Sequence, residues 1–345
     1  MCPRSRKGFA DGANKKPDRK DIKGRFLRMP RRLKDLMKRH HILSTIIRWF
    51  DSEAALKAYP EGEDERVDWV RILPFIFLHA ACFAVIWVAW SWVALGVAAG
   101  LYVVRMFAIT AFYHRYFSHR TYKTHRIWQF LFAVLGNAAV QRGPLWWAAH
   151  HRHHHRYADK PEDIHSPVQK GFIYSHVLWL TTRKHFSTQK RYVSDWMAYP
   201  ELRWLNRHDT AVPFLLVLFL FALGHVLSVY EPSLGTSGFQ MVIWGFFIST
   251  VVLFHATATI NSLDHMFGTR RYRTPDNSRN NPLLALITLG EGWHNNHHHY
   301  SVCARQGFYW WELDITYYVL VLMSYLGIVR DLRPLPEGAR ETDRV

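Results

Sequence analysis

Cysteine is scarce in this chain, and its placement excludes two common uses of sulfur. The 345 residues include three cysteines, Cys2, Cys82 and Cys303, and none lies close to another. The sequence therefore predicts neither a disulfide framework nor a thiolate zinc site, which needs closely spaced pairs. Residues 1–40 contain no apolar segment of the kind that forms a signal peptide. Internal repeats and strand-like alternation of apolar and polar residues are also lacking, so we expect an almost entirely helical fold.

Positive charge is missing from two long stretches of an otherwise basic sequence. No Lys or Arg occurs from Ile72 to Val104 or from His208 to Thr269. Two apolar runs begin within each stretch. Each run has about 20 residues, the length that crosses a bilayer. The sequence thus predicts an integral membrane protein with four spans, at about residues 72–90, 92–113, 211–230 and 239–260. The shorter runs 127–140 and 171–182 are expected to be interfacial or re-entrant helices, and 314–329 a helix packed on the polar domain.

The remaining charge predicts how the spans are oriented. The net charge is +17, and residues 1–50 alone hold 16 Lys and Arg against four Asp. Because apolar segments follow and no nucleic-acid-binding motif is present, we expect this basic arm to meet anionic lipid rather than nucleic acid. The positive-inside rule predicts that both termini and the long middle segment face the cytoplasm. Arg105, the one cation inside a predicted span, is expected to snorkel to the headgroups.

These features divide the chain into three parts. Residues 1–45 are interpreted as a basic, disordered arm, residues 46–332 as the membrane domain, and residues 333–345 as a C-terminal tail. The polar part of the membrane domain is expected to form a helical cap on the cytoplasmic side of the four spans.

Histidine is abundant, and four short clusters just beyond the ends of apolar segments contain ten of the 22 histidines. Nine of these ten are the candidate ligands selected below. The predicted topology brings all four clusters to one side of the membrane. Neutral imidazole is the commonest protein ligand for transition metals, so the sequence predicts a dinuclear metal site. The clusters read His114-Arg-Tyr-Phe-Ser-His119, His151-Arg-His-His-His155, Asn261-Ser-Leu-Asp-His265 and His294-Asn-Asn-His-His298.

Helix geometry separates the candidate ligands in the two longest clusters from their neighbours. At about 100° per residue, His151, His154 and His155 share one face of a helix, whereas His150 and His153 point elsewhere. Adjacent histidines on such a face diverge by about 100°, so each can serve a different metal. The same arithmetic in the last cluster selects His294, His297 and His298 and leaves out His299.

The other two clusters follow different rules. His114 and His119 are five residues apart, or about 140° on a helix, so the chain must bend between them or the two must approach from different sides. Asn261 precedes His265 by one helical turn, and its amide is expected to hold a metal-bound water beside that ligand.

Histidines also have roles other than in a dinuclear metal site. A lone histidine on a helix is usually structural, so no function is assigned to His79, His225 or His255. A histidine run can also be a surface metal trap. Ligand type alone allows zinc, copper, iron or nickel. The sequence His-Glu-x-x-His is absent, which weakens hydrolase interpretations.

With these motifs in place, the chain resembles the membrane fatty acyl desaturases, and most closely the stearoyl-CoA (Δ9) type. The resemblance runs from about Trp69 to Leu332 and includes all the clusters. It also includes two flanking strings, His119-Arg-Thr-Tyr-Lys and Gly290-Glu-Gly-Trp-His. It implies four transmembrane helices under a cytoplasmic cap. It further implies two iron ions that use O2 and two electrons to convert a CH2–CH2 pair of an acyl chain to a cis double bond.

The resemblance also implies roles for individual residues. Gln141, Trp147 and Thr257 match residues that shape a kinked substrate channel, and Tyr102 is expected at the channel floor. Arg142, Arg183 and Lys184 are candidates to bind the phosphates of coenzyme A. The implied iron ligands are the nine histidines selected above, with Asn261 acting through water: His114, His119, His151, His154, His155, His265, His294, His297 and His298.

The chain departs from that family's pattern in two ways. It lacks a His-Pro-Gly-Gly haem motif, so electrons are expected from a separate ferredoxin-like or cytochrome b5 donor with its reductase. Its second and last clusters contain extra histidines and in this resemble the clusters of bacterial members. The resemblance suggests that the protein lies in a bacterial inner membrane. Acyl-CoA is the favoured carrier and an acyl-lipid the alternative. An acyl hydroxylase or acetylenase could share these clusters, and a non-enzymatic metal-binding protein is a more distant alternative.

Overall fold

The computed structural model describes residue 43 and residues 46–53 and 66–345. The predicted basic arm therefore lies almost wholly outside the described residues. Thr45–Val345 form one compact unit. Helices dominate the described residues, as the sequence predicts, and the two named strands contain two residues each.

Within the part of the chain that the structure describes, four helices are long and apolar enough to cross a membrane, which confirms the four predicted spans. The second and fourth extend five residues further than expected, so that His114 and His265 lie on the spans themselves. Spans 1 to 4 are Trp69–Val88, Trp92–Ser118, Ala211–Tyr230 and Gly238–His265.

Three of the spans depart from regular α-helix. Span 1 is α-helical over Trp69–Ala81 and continues through a 3-10 turn, Cys82–Ala84, to Val85–Val88. Spans 2 and 4 contain π-helical segments, Ala108–Ser118 and Val242–Ile248. Such segments are rare and occur frequently at functional sites. The one in span 2 includes His114.

Spans 2, 3 and 4 meet in a small apolar core. Its buried residues are Ala94, Leu220, Met241, Val242 and Phe246. Small residues allow the backbones of spans 3 and 4 to approach closely near the turn between them. A Cβ atom on Gly224 would lie 2.5 Å from the carbonyl oxygen of Ser237.

The cap is built from the chain between spans 2 and 3 and the chain after span 4. Its longest helix, Pro144–Tyr157, carries the second histidine cluster and is called the box helix. Ile315–Tyr325 has 11 residues, too few to cross a bilayer. Two short strands pair antiparallel, with Lys123 opposite Arg330 and Thr124 opposite Val329. The other cap helices are Arg126–Asn137, Pro167–Lys170, Phe172–His176, Pro200–Arg207, Pro282–Ile287 and His294–His299.

Arg105 contradicts the expectation that it snorkels to the headgroups. Its side chain is buried between spans 2 and 4, with 1% of the residue exposed. Its guanidinium donates to the hydroxyls of Thr250 and Ser249 at 2.7 Å, and to the carbonyl oxygens of Leu101 and Ala138. Two hydroxyls of span 4 and carbonyls of span 2 and of the cap therefore replace the water that a snorkelling arginine would reach.

Replacing Arg105 by methionine is expected to destabilise the protein by roughly 1.5–3 kcal/mol, because charged hydrogen bonds are lost and two buried hydroxyls lose their donor. Thermal unfolding of the purified protein in detergent measures the change. Arg126→Met is the matched control, because Arg126 is exposed and pairs only with Glu201 among the ion pairs of the described residues. Equal unfolding midpoints for the two variants would contradict this role for Arg105.

Candidate metal centre

The box helix begins with Pro144, whose fixed φ suits the first helical turn. It directs three of its histidines toward the other clusters. His150 and His153 belong to neither of the groups described below. The ring of His150 packs on Trp146 and its Nδ1 donates to the Trp146 carbonyl at 2.8 Å, whereas His153 packs on Tyr157 and Tyr192.

The nine histidines selected from the sequence come together in two groups. Within each group the candidate ligand nitrogens lie within 4.8 Å of one another. Adjacent histidines fall into different groups, as the helix geometry predicts. The first group contains His114, His119, His151, His155 and His297, and the second contains His154, His265, His294 and His298.

The π-helical segment of span 2 explains how His114 and His119 reach the same group. The amide of His119 donates to the carbonyl of His114 at 3.2 Å. A hydrogen bond between residues five apart closes a π-turn, which brings their side chains to one face. The α-helical arithmetic separates these rings by about 140° and does not apply to this segment.

Four carboxylates hold the outer nitrogens of these rings, and the sequence analysis did not single them out. Asp159 and Asp163 follow the second cluster closely, and Glu291 precedes the last cluster, so acidic residues beside basic clusters are the signal that could have found them. The Nδ1 atoms of His154, His265 and His298 donate to Asp163 at 3.0 Å, Asp159 at 2.9 Å and Asp276 at 2.8 Å, and His114 pairs with Glu291.

This arrangement fixes where the free lone pairs point. A neutral imidazole that donates from Nδ1 carries its lone pair on Nε2. The Nε2 atoms turn inward: those of His114 and His297 are 3.0 Å apart, and those of His265 and His294 are 3.1 Å apart. The Nε2 atom of His298 has no hydrogen-bond partner. Converging lone pairs repel unless a cation lies between them, so the donor set fits a transition-metal ion in each group.

Burial keeps the rings in the form that binds metal. It lowers the pKa of His151, His155, His294 and His297 well below the usual value for histidine. Only the neutral ring has a lone pair to offer, so these side chains are ligands at neutral pH without first releasing a proton. At His154 burial also lowers the pKa, but the Asp163 carboxylate outweighs it and the net shift is upward.

A buried ionic network holds Glu291 in place. Arg115, 1% exposed, contacts Glu291 at 3.2 Å and Asp314 at 2.9 Å. Gln306 donates to the other Glu291 oxygen at 3.0 Å. Because Glu291 also pairs with His114, the network fixes the orientation of that ring from the protein side.

A cavity of about 400 Å³ leads from the membrane side of the cap to the metal groups. Its wall is mostly apolar and aromatic, and it reaches His151 and Asn261. A second cavity of about 40 Å³ continues beyond it and also borders His114 and His294. Trp147, His151, Thr257 and Asn261 line both cavities. The two cavities therefore adjoin beside the two groups of histidines.

Of the residues predicted to shape a channel, Trp147 and Thr257 line both cavities and Gln141 lines the larger one. Gln141 donates to the hydroxyl of Thr257 at 3.0 Å, across the cavity wall. The ring of Trp147 stacks on His151, with centroids 5.1 Å apart. Tyr102 lines neither cavity, and its hydroxyl donates to the Ile287 carbonyl at 2.6 Å. Its place at a channel floor stays a prediction.

The three basic residues considered for phosphate binding differ in position. Arg142 lines the large cavity and pairs with Asp209, with its Nε 2.9 Å from the carboxylate. Arg183 and Lys184 are not among the residues that line either cavity. Arg183 lies 3.7 Å from Asp68.

Spans, cap and histidine groups together define a helical membrane protein of the histidine-cluster class, with an apolar cavity at its metal-binding residues. The comparisons identify the family. Residues 90–321 match the model of the fatty acid desaturase family. The chain belongs to that family.

Curated relatives agree with this assignment and differ in the substrate that their names give. The chain is 35% identical over 286 residues to "Acyl-CoA 5-desaturase AL21" of Anemone leveillei, covering 79% of this chain and 84% of the relative. It is 35% identical over 298 residues to "sn-1 stearoyl-lipid 9-desaturase" of Synechocystis sp., covering 85% and 88%. It is 31% identical over 284 residues to "sn-2 palmitoyl-lipid 9-desaturase" of Nostoc sp., covering 81% and 95%.

The carboxylates provide a test of how the two groups are held. Glu291→Gln is expected to weaken metal binding in the first group and Asp163→Asn in the second, because loss of a partner to a ligating histidine typically costs about 10–100-fold in metal affinity. Metal retained per chain after dialysis against a graded chelator measures the effect.

Asp195→Asn serves as the control for that experiment. Among the ion pairs of the described residues, Asp195 pairs with Arg152 and Arg120 and with no histidine. The account would be wrong if Asp195→Asn lost as much metal as the other two variants, or if all three kept it.

Proposed function

We propose that this protein is an O2-dependent fatty acyl desaturase that introduces a cis double bond into a saturated acyl chain. One observation carries the proposal: two groups of converging imidazoles border two adjoining cavities, the larger of which is mostly apolar, in a membrane domain. An acyl chain is the natural occupant of such a cavity, since its walls offer apolar contacts and few polar groups.

We propose two iron ions as the metals. The nine histidines in the two groups are the ligands in this proposal, and Asn261 acts through a bound water. An unactivated methylene has no useful acidity, so side chains alone cannot remove its hydrogen. When bound, the iron pair supplies the O2 chemistry, and the protein supplies orientation and the exclusion of competing reactions.

The side chains of the cavity orient the acyl chain in this proposal. Trp147 and Thr257 line both cavities beside the histidine groups, and Gln141 lines the larger one. A chain that passes this point must follow the wall made by the Trp147 ring and the Gln141–Thr257 hydrogen bond. A bend held there favours removal of two hydrogens from the same side, which gives the cis product.

Several finer assignments complete the proposal. We propose the Δ9 position and an acyl-CoA substrate; the relatives' names include both acyl-CoA and acyl-lipid desaturases, acting at positions 5 and 9. Electrons come from an external ferredoxin or cytochrome b5 with its reductase. The protein lies in a bacterial inner membrane, with the metal groups on the cytoplasmic side.

Product analysis tests the reaction. Expression in a host with low unsaturated fatty acid content, with iron and a ferredoxin–reductase pair, should give a new monounsaturated acyl chain. Mass spectrometry gives the position of the double bond. A hydroxylated chain would assign the protein to the hydroxylases instead, and unchanged lipids from folded, iron-loaded and reducible protein would contradict enzymatic function.

Two histidines of the box helix provide the sharpest pair of variants. His154→Ala is expected to abolish the product, because His154 belongs to the second group and is held by Asp163. His153→Ala should retain much of the product, because His153 lies outside both groups. Product yield per folded protein is the measurement, and equal loss from both variants would refute the division between ligands and neighbours.

A further inference from the structure

Three histidines outside both metal groups form a hydrogen-bonded row between two spans and the cap. His79 lies on span 1, His255 on span 4 and His176 at the end of the cap helix Phe172–His176. The Nε2 atoms of His79 and His255 are 3.2 Å apart, and the Nδ1 atom of His255 is 3.0 Å from the Nε2 atom of His176. A lone histidine is usually structural, but in the fold none of these rings is alone. They are called the histidine row below.

Hydrogen bonding fixes the protons of the histidine row. The Nδ1 atom of His79 donates to the Phe75 carbonyl at 2.9 Å. When the rings are neutral, the Nε2 atom of His79 therefore accepts from His255, and the Nδ1 atom of His255 accepts from His176. His255 uses a different nitrogen toward each neighbour, so the rings do not converge on one point, and the row is not among the metal-binding groups of the described residues. Its hydrogen bonds instead join span 1, span 4 and the cap side by side.

The histidine row lies at a seam between the large cavity and the lipid-facing surface of the spans. Residues beside the row line the cavity on the inner side, together with one ring of the row: Phe75, Leu78, Phe254, Ala258 and His176. Other residues of the same three elements are exposed, by 43%, 52% and 67%: Ile76, Val252 and Ile173. Each ring of the row is itself partly exposed. An opening at this seam would therefore join the cavity to the bilayer.

Hydrogen bonds are what can hold such a seam closed in a membrane. Lipid tails are as apolar as the side chains of the spans, so no hydrophobic force presses one span against another. When an apolar seam separates, lipid contacts replace the side-chain contacts. Separation at the histidine row also breaks two hydrogen bonds between imidazoles, and such bonds are weak in membrane proteins. The row thus favours the closed seam without making it permanent.

We propose that the histidine row closes a lateral portal through which the acyl chain of an acyl-CoA moves between the bilayer and the cavity. An acyl chain that enters sideways stays in apolar surroundings throughout. Entry past Arg142 and Asp209, which also line the cavity, would bring it against charged side chains. This inference rests on the proposed function for the identity of the acyl chain. Passage through the portal can be measured without turnover.

Reversible cross-linking of the seam tests the inference. His79→Cys and His255→Cys are introduced together in a protein whose native cysteines are replaced by serine, and 1,2-ethanediyl bismethanethiosulfonate joins them in lipid nanodiscs. Palmitoyl-CoA with a diazirine on its acyl chain is then added without an electron donor. Labelling of the box-helix peptide that contains Trp147, followed by mass spectrometry over time, gives the rate of uptake. The cross-link should slow uptake roughly 10-fold or more, because the seam cannot open, and dithiothreitol should restore the rate.

A second cross-linked pair is the matched control. Arg126→Cys and Glu201→Cys replace side chains that contact each other at 2.7 Å and do not line the cavity. Their cross-link should leave the rate of uptake unchanged. Equal uptake before and after cleavage of the link between positions 79 and 255 would overturn the inference, since the acyl chain would then enter by another route.

A variant of opposite effect provides the second test. His255→Phe removes both hydrogen bonds of the row and keeps an aromatic ring, so uptake should become roughly 3–10-fold faster, as loss of two weak membrane hydrogen bonds gives. His225→Phe is the control, because His225 lies on span 3 and lines neither cavity. Thermal unfolding shows whether each variant is folded. Uptake by folded His255→Phe no faster than by wild type would contradict the inference. Uptake as expected without any desaturated product would instead contradict the proposed function alone.

Discussion

Four carboxylates on the outer nitrogens of four histidines determine the geometry at the centre of this protein. Asp159, Asp163, Asp276 and Glu291 each accept a hydrogen bond from the Nδ1 atom of one ring, so the lone pair on Nε2 faces inward. Burial adds to this by lowering the pKa of most of the other rings. The result is a set of neutral nitrogens that converge and are fully satisfied only by a cation. Positioning nine rings in this way requires that the spans, the cap and the box helix are fixed relative to one another.

The membrane spans contribute more than an anchor. Spans 2 and 4 continue past the bilayer as single helices and end at the metal groups, so the site is built on rigid elements rather than on loops. The same two spans, with span 1 and the cap, line the cavities that pass those groups. Arg105 ties spans 2 and 4 together through Thr250 and Ser249. An apolar chain held in the cavity would thus be aligned by the same helices that carry histidine ligands.

Much of this arrangement follows from sequence periodicity, and the exceptions have physical causes. Helix geometry predicted which histidines of the box helix share a face, because that segment is regular α-helix. For His114 and His119 it indicated only that one α-helical face cannot hold both, and the π-turn that brings them together is not encoded in the apolar period. The burial of Arg105 depends on hydroxyls some 145 residues away in span 4. Asp276 could not be assigned for the same reason, because its partner His298 is 22 residues away and the two meet only in the folded chain.

The central claim is that the two histidine groups hold one iron ion each. The most direct test is the iron content of protein purified from iron-supplemented cells, combined with Mössbauer spectroscopy after loading with the ⁵⁷Fe isotope. The account predicts two iron ions per folded chain, with nitrogen-rich ligation and no thiolate signature. Full desaturase activity with one iron or none per chain would contradict it, as would two irons retained after both His154 and His297 are replaced by alanine.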